Sequence, residues 1–141
     1  VRGIQKHTID AKNRLFVPAK YREELGTKVV ITKTTTASSI SVYSANNIGA
    51  LETLIMQKLD FVDDYEARLW YFSNTEDAEI DSQGRLALPD SYIDHAKIEK
   101  NVISVGFGDH LEIWGEEAYL ERTSGLGPGL VNAGLTRKQD K

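Results

Sequence analysis

Ile9-Asp10-Ala11-Lys12-Asn13-Arg14-Leu15-Phe16-Val17-Pro18 returns 71 residues further along the chain as Ile80-Asp81-Ser82-Gln83-Gly84-Arg85-Leu86-Ala87-Leu88-Pro89. Both stretches keep an Asp, an Arg four residues later and a Pro four beyond that. A pattern repeated at a fixed offset describes a duplicated structural unit. Within the first copy, Lys6 to Ile9 and Arg14 to Val17 are short segments rich in β-branched and aromatic residues, so the stretch predicts a hairpin turning at Asp10 to Asn13. The residue before the return strand must tolerate positive φ. Asn13 in one copy and Gly84 in the other are the two residue types that do so best. Pro18 and Pro89 suit the start of a helix, where no amide donor is needed, and lead into expected helices over 19–25 and 90–96.

Beyond each short helix a pair of strands is expected. Val29-Val30-Ile31 and Ile40-Ser41-Val42-Tyr43 answer Val102-Ile103-Ser104-Val105 and Leu111-Glu112-Ile113-Trp114, with Tyr43 and Trp114 again 71 residues apart. Between the repeats, Ile48, Leu51, Leu54, Ile55 and Leu59 recur at helical spacing, and Tyr65, Leu69 and Phe72 continue it after a break at Asp60 to Asp64. A last helix is expected near Glu116. The Gly- and Ser-rich run from Thr123 and the charged end Arg137-Lys138-Gln139-Asp140-Lys141 read as a mobile tail unless a neighbouring subunit orders it. The expected organisation is a first unit over 2–47, a helical connector over 48–75, a second unit over 76–122 and the tail over 123–141.

The 141 residues, 40% hydrophobic and 27% charged, can bury a core but leave little for each half alone, so the halves are expected to pack together. No apolar run is long enough to cross a bilayer, no secretory leader is expected, and the absence of cysteine fits a reducing cytoplasm. The formal net charge of −4 is unevenly spread. Residues 1–36 carry eight Lys and Arg against three Asp and Glu, leaving nine basic against eighteen acidic residues elsewhere. A local positive surface attracts phosphate whatever the distant net charge.

Two Asp-x-x-x-Arg motifs, each followed by a Pro-led short helix, and a closing Val102-Ile103-Ser104-Val105-Gly106 that runs to His110-Leu111-Glu112-Ile113-Trp114 resemble the bacterial MraZ family over residues 2 to about 122. The resemblance implies an α+β fold: two fused, interlocked AbrB-like units forming a double-split β-barrel pseudodimer with peripheral helices. It further implies ring-shaped homo-oligomers, a nucleoid-associated role in the cytoplasm, and regulation of the division and cell-wall gene cluster through double-stranded DNA carrying promoter repeats. Family DNA binding is attributed chiefly to the first motif, here Asp10 to Arg14. Two departures stand out: Asn13 replaces a common Gly, and the middle helix keeps Arg68 alone, with Tyr71 near the position of a second Arg.

The candidate DNA-binding residues are accordingly Arg14, Lys12, Arg2, Lys6, Lys20 and Arg22. Asp10, Asp81 and Arg85 are expected to be structural, as pairs across the two loops. Residues 79–96 offer Arg85 against Glu79, Asp81, Asp90 and Asp94, an acidic setting that a phosphate would avoid. Arg14 is also the candidate for reading sequence, since bidentate Arg to guanine is the commonest specific base contact. Other motifs are bland. Gly106-Phe107-Gly108 is a loop between strands, His7, His95 and His110 lack metal-ligand spacing, Ser38 and Ser39 lack a nucleophile's context, and the acidic run Glu76, Asp77, Glu79, Asp81 reads as a solvated linker. No enzyme, cofactor, membrane partner or small-molecule substrate is implied. The competing reading is an AbrB-like protein-interaction or antitoxin-type scaffold whose acidic half grips a basic partner.

Overall fold

The computed structural model describes residues 1–58 and 65–126. The break in helical spacing expected at Asp60 to Asp64 and the tail beyond residue 126 lie outside those residues. In chain order the elements are β1 (Arg2–Thr8), β2 (Arg14–Phe16), α1 (Ala19–Leu25), β3 (Lys28–Lys33), β4 (Ser39–Ser44), α2 (Ile48–Lys58), α3 (Tyr65–Ser73), β5 (Thr75–Glu79), β6 (Arg85–Ala87), α4 (Asp90–His95), β7 (Asn101–Phe107), β8 (His110–Gly115) and α5 (Glu116–Thr123).

Six strands form one antiparallel sheet in the order β1-β7-β8-β4-β3-β5, and β2 pairs with β6 in a separate two-stranded ribbon. Exchanging the repeats leaves that order unchanged. The pseudo-twofold axis passes between β4 and β8, where Ser41 faces Glu112, and through the ribbon, where Leu15 faces Leu86. The halves are interlocked: β1 of the first repeat pairs with β7 of the second, and β5 of the second pairs with β3 of the first.

This corrects the expected hairpin. The Asp10 loop joins two strands that do not pair with each other, because β2 takes its ladder partner from the other repeat. A lone two-stranded hairpin buries too little to hold itself. Crossed over, Leu15 and Leu86 are 1% and 0% exposed in a core shared with Val17, Tyr21, Ile31, Val42, Leu88, Tyr92 and Ile113 from both repeats. Matching bonds fasten the exchange: the Val17 amide donates to the Gly84 carbonyl at 2.8 Å, and the Leu88 amide to the Asn13 carbonyl at 2.9 Å.

Both short helices start where the sequence predicts, with Pro18 and Pro89 as extended N-caps just before the first turn. The acidic run is a second correction. Thr75–Glu79 is an edge strand rather than a linker, and an edge tolerates Glu76, Asp77 and Glu79 because charge there discourages further strand addition. Tyr71 is buried and donates from its hydroxyl to Glu52 Oε2 at 3.1 Å. Burial first, then the Glu52 charge, pushes its phenol well above the usual range. Among the described residues no helix is long and apolar enough to cross a membrane.

Candidate nucleic-acid interface

In the first loop one carboxylate organises the whole turn. Asp10 Oδ1 accepts the backbone N–H of Lys12 and of Arg14, each at 2.9 Å, while Oδ2 accepts Arg14 Nε at 2.8 Å. The Asp10 amide donates to the Arg14 carbonyl at 2.9 Å, and Asn13, at φ 59°, donates from its amide to the Asp10 carbonyl at 3.0 Å. The second loop repeats this. Asp81 accepts the amides of Gln83 and Arg85 at 2.9 Å and Arg85 Nε at 3.3 Å, and Gly84 takes φ 82°. The motif spacing is thereby explained: Asp caps a tight loop and reaches the Arg that leaves it. Both carboxyls are held below the ordinary carboxylate pKa, chiefly by the backbone N–H of Arg14 or Arg85.

Each arginine is gripped by one edge only. No hydrogen bond from its two terminal nitrogens is found among the described residues, and the Arg14 and Arg85 side chains remain 27% and 33% exposed. Because Leu15 and Leu86 point inward, strand alternation turns Arg14, Phe16, Arg85 and Ala87 outward together. A fixed planar fork facing solvent matches phosphate oxygens or a guanine edge.

Of the other candidates, Lys12 is exposed at the tip of the first loop. Arg22 goes elsewhere: its guanidinium lies over the Phe16 ring, 5.5 Å from the centroid, and against Gly84 of the second loop. Lys20 lies over its neighbour Tyr21, 4.9 Å from the centroid, and beside Gly3 of β1. Arg2 and Lys6 alternate with the inward-facing Gln5 and His7, so they lie on the sheet face turned away from the core, where Lys6 Nζ stands 4.0 Å from Glu116. Thus the fold brings Lys12 and Arg14 together, whereas Arg2 and Lys6 lie on one face of β1 and Lys20 on the other, beside Gly3.

The interlocking also carries charged residues of each repeat to the loop of the other. Asp90 belongs to the second repeat but accepts the side-chain amide of Asn13 at 2.7 Å, in the first loop. Arg22 belongs to the first repeat but sits at the second loop. Arg22 therefore adds a cation at the second loop, and Asp90 a carboxylate at the first. Neither contact is visible in a segment-by-segment charge count; the signal that could have revealed them is the repeat itself, once its strands are paired across copies.

Fold and site together define a class, an internally duplicated α+β pseudodimer that presents two carboxylate-held arginines on a central ribbon. The chain belongs to the MraZ family. The family model described as "MraZ protein, putative antitoxin-like" matches it twice, over residues 1–68 and 71–124. Relatives named Transcriptional regulator MraZ include that of Thermoanaerobacter sp. strain X514, 43% identical over 84% of this chain and 83% of its own length. That of Caldanaerobacter subterraneus subsp. tengcongensis is 40% identical over the same shares, and that of Clostridium acetobutylicum 34% identical over 84% of each chain. The family is one of transcriptional regulators, not of enzymes.

Proposed function

We propose that the chain is a sequence-specific, DNA-binding transcriptional regulator of the division and cell-wall gene cluster, acting on tandem promoter repeats in the nucleoid as a ring-shaped homo-oligomer. The observation that carries this reading is Arg14, fixed through Nε by Asp10 with its terminal nitrogens turned to solvent beside Lys12. A two-stranded ribbon fits the major groove. Arg22 adds charge at the ribbon, and Arg2, Lys6 and Lys20 add positive potential around β1. The two-stranded ribbon over a six-stranded antiparallel sheet supports a double-split barrel, and the interlocked halves support units over 2–47 and 76–122 joined by a connector over 48–75.

Two unlike ends support a ring. Beside β5, Leu54, Met56, Leu69 and Phe72 of α2 and α3 are about half exposed, and β5 itself carries Glu76, Asp77 and Glu79. Near β1, Ile4, Phe107 and Leu120 are about half exposed, and β1 carries Arg2 and Lys6. Unlike complementary patches give head-to-tail contacts, which close into rings when the rotation permits. Few contacts per subunit then suffice, since a ring on repeated sites gains by effective concentration.

Arg14→Ala should weaken binding to DNA from the chain's own promoter at least tenfold in a mobility shift, with the assembly intact by native mass. Unchanged affinity in a folded variant would sink the assignment. The acidic β5 edge favours a second reading, a scaffold for a basic partner; absence of any shift at low salt would select it.

A further inference from the structure

We propose that the second loop binds DNA as well: Arg85, supported by Arg22, contacts the same duplex as Arg14, so each subunit holds DNA with both ends of its β2–β6 ribbon. This rests on the DNA-binding reading above and enlarges its site.

Three observations carry it. Arg14 pairs across the ladder with Ala87, and Arg85 with Phe16, so the pseudo-twofold axis at Leu15 and Leu86 makes the two arginines equivalent on one outward face. As diagonal neighbours their backbones are about 7–8 Å apart, close enough to meet a single groove. Both are held alike, by an Asp through Nε, and both expose the remaining fork.

Two contacts across the repeats offset part of the acidic setting of the second loop. Arg22 is laid over Phe16 and against Gly84 by packing, and no carboxylate pairs with it among the described residues. Its Nε is buried without a hydrogen-bond partner, so aromatic contact rather than an acid fixes its position. Asp90, which could oppose a phosphate, is held by Asn13 at the other loop. A purely structural Arg85 would need neither the free fork nor the unpaired Arg22 beside it.

The test is the salt dependence of binding of the full-length chain to a duplex from its own promoter and to a random duplex. Each lost phosphate contact should flatten the log–log slope by about 0.9 for every engaged subunit. Arg85→Ala should weaken binding at least fivefold and flatten the slope, with Arg85→Lys restoring most of the slope. Arg22→Gln should flatten it too, and carries the test if Arg85→Ala does not fold. If Arg14→Ala weakens binding while Arg85→Ala lowers only the melting temperature and Arg22→Gln leaves the slope unchanged, this inference is overturned and the first-loop reading stands. If Arg14→Ala has no effect either, the DNA-binding reading itself fails.

Discussion

Asn13 donates its side-chain amide to Asp90 across 2.7 Å, linking the loop of the first repeat to the helix of the second. Asp90 stands at the first position of α4, directly after the Pro89 cap, where a negative charge is favourable to the helix. It also places a carboxylate beside Lys12 and Arg14.

Asp90→Asn keeps an acceptor for Asn13 and removes that charge. A unit charge at contact distance in water is worth about 1 kcal/mol, so the gain in DNA affinity has a ceiling of about fivefold. We expect a two- to fivefold gain at low salt, shrinking as ionic strength rises and the Debye length falls below about 10 Å. Weaker or unchanged binding by a stably folded variant would mean that Asp90 lies outside the reach of the bound phosphates.

Near the other axial position, His110 stacks on Tyr43, with centroids 4.5 Å apart, and its nitrogens lie 2.8 Å from Asp109 and 3.4 Å from buried Glu112. Burial pulls its pKa down, but the hydrogen bonds and charges of Glu112 and Asp109 outweigh that and leave it above 6.5. A histidine raised in the folded state stabilises fully below its unfolded value and ceases to do so as pH rises through the folded one. His7 is shifted the opposite way, chiefly by burial, so its contribution is present above 6.5 and fades as pH falls through its lowered value. The difference in unfolding free energy between wild type and His110→Gln cancels the His7 contribution. It should be largest at about pH 6 and decline toward pH 9; a difference that stays flat over this range would contradict the assignment.

What each repeat forms locally is legible in the sequence, because Asp caps its own loop, Asn or Gly supplies positive φ and Pro precedes the helix, all within ten residues. Partner choice is not. Arg14-Leu15-Phe16 alternates equally well for a hairpin with β1 or a ladder with β6, and what decides is the long-range burial of Leu15 against Leu86. The same interlocking hides from any count of charge along the chain that Arg14 and Arg85 share one outward face. Glu76, Asp77 and Glu79 read as linker because acids are poor strand formers, and only their place at a sheet edge reconciles them with β structure.

The Asn13/Gly84 difference follows from two differences between the repeats, Phe16 against Ala87 and Arg22 against Ile93. A side chain at Gly84 would set its Cβ 2.9 Å from Phe16 Cε1 and 3.1 Å from Arg22 Cζ. At the equivalent place in the other half, the residue matching Phe16 is Ala87, and Asn13 is accommodated at φ 59°. Asn itself tolerates the φ of 82° at position 84, so Gly84→Asn isolates the packing conflict. It should destabilise by about 1 kcal/mol, because what must move is the outer ends of the Phe16 and Arg22 side chains. Phe16→Ala, at a residue 47% exposed, should remove most of that cost when combined with it. Chemical denaturation of the four-protein cycle should give a favourable coupling above about 0.5 kcal/mol. Additive costs would show instead that the ring of Phe16 is not what reserves position 84 for glycine.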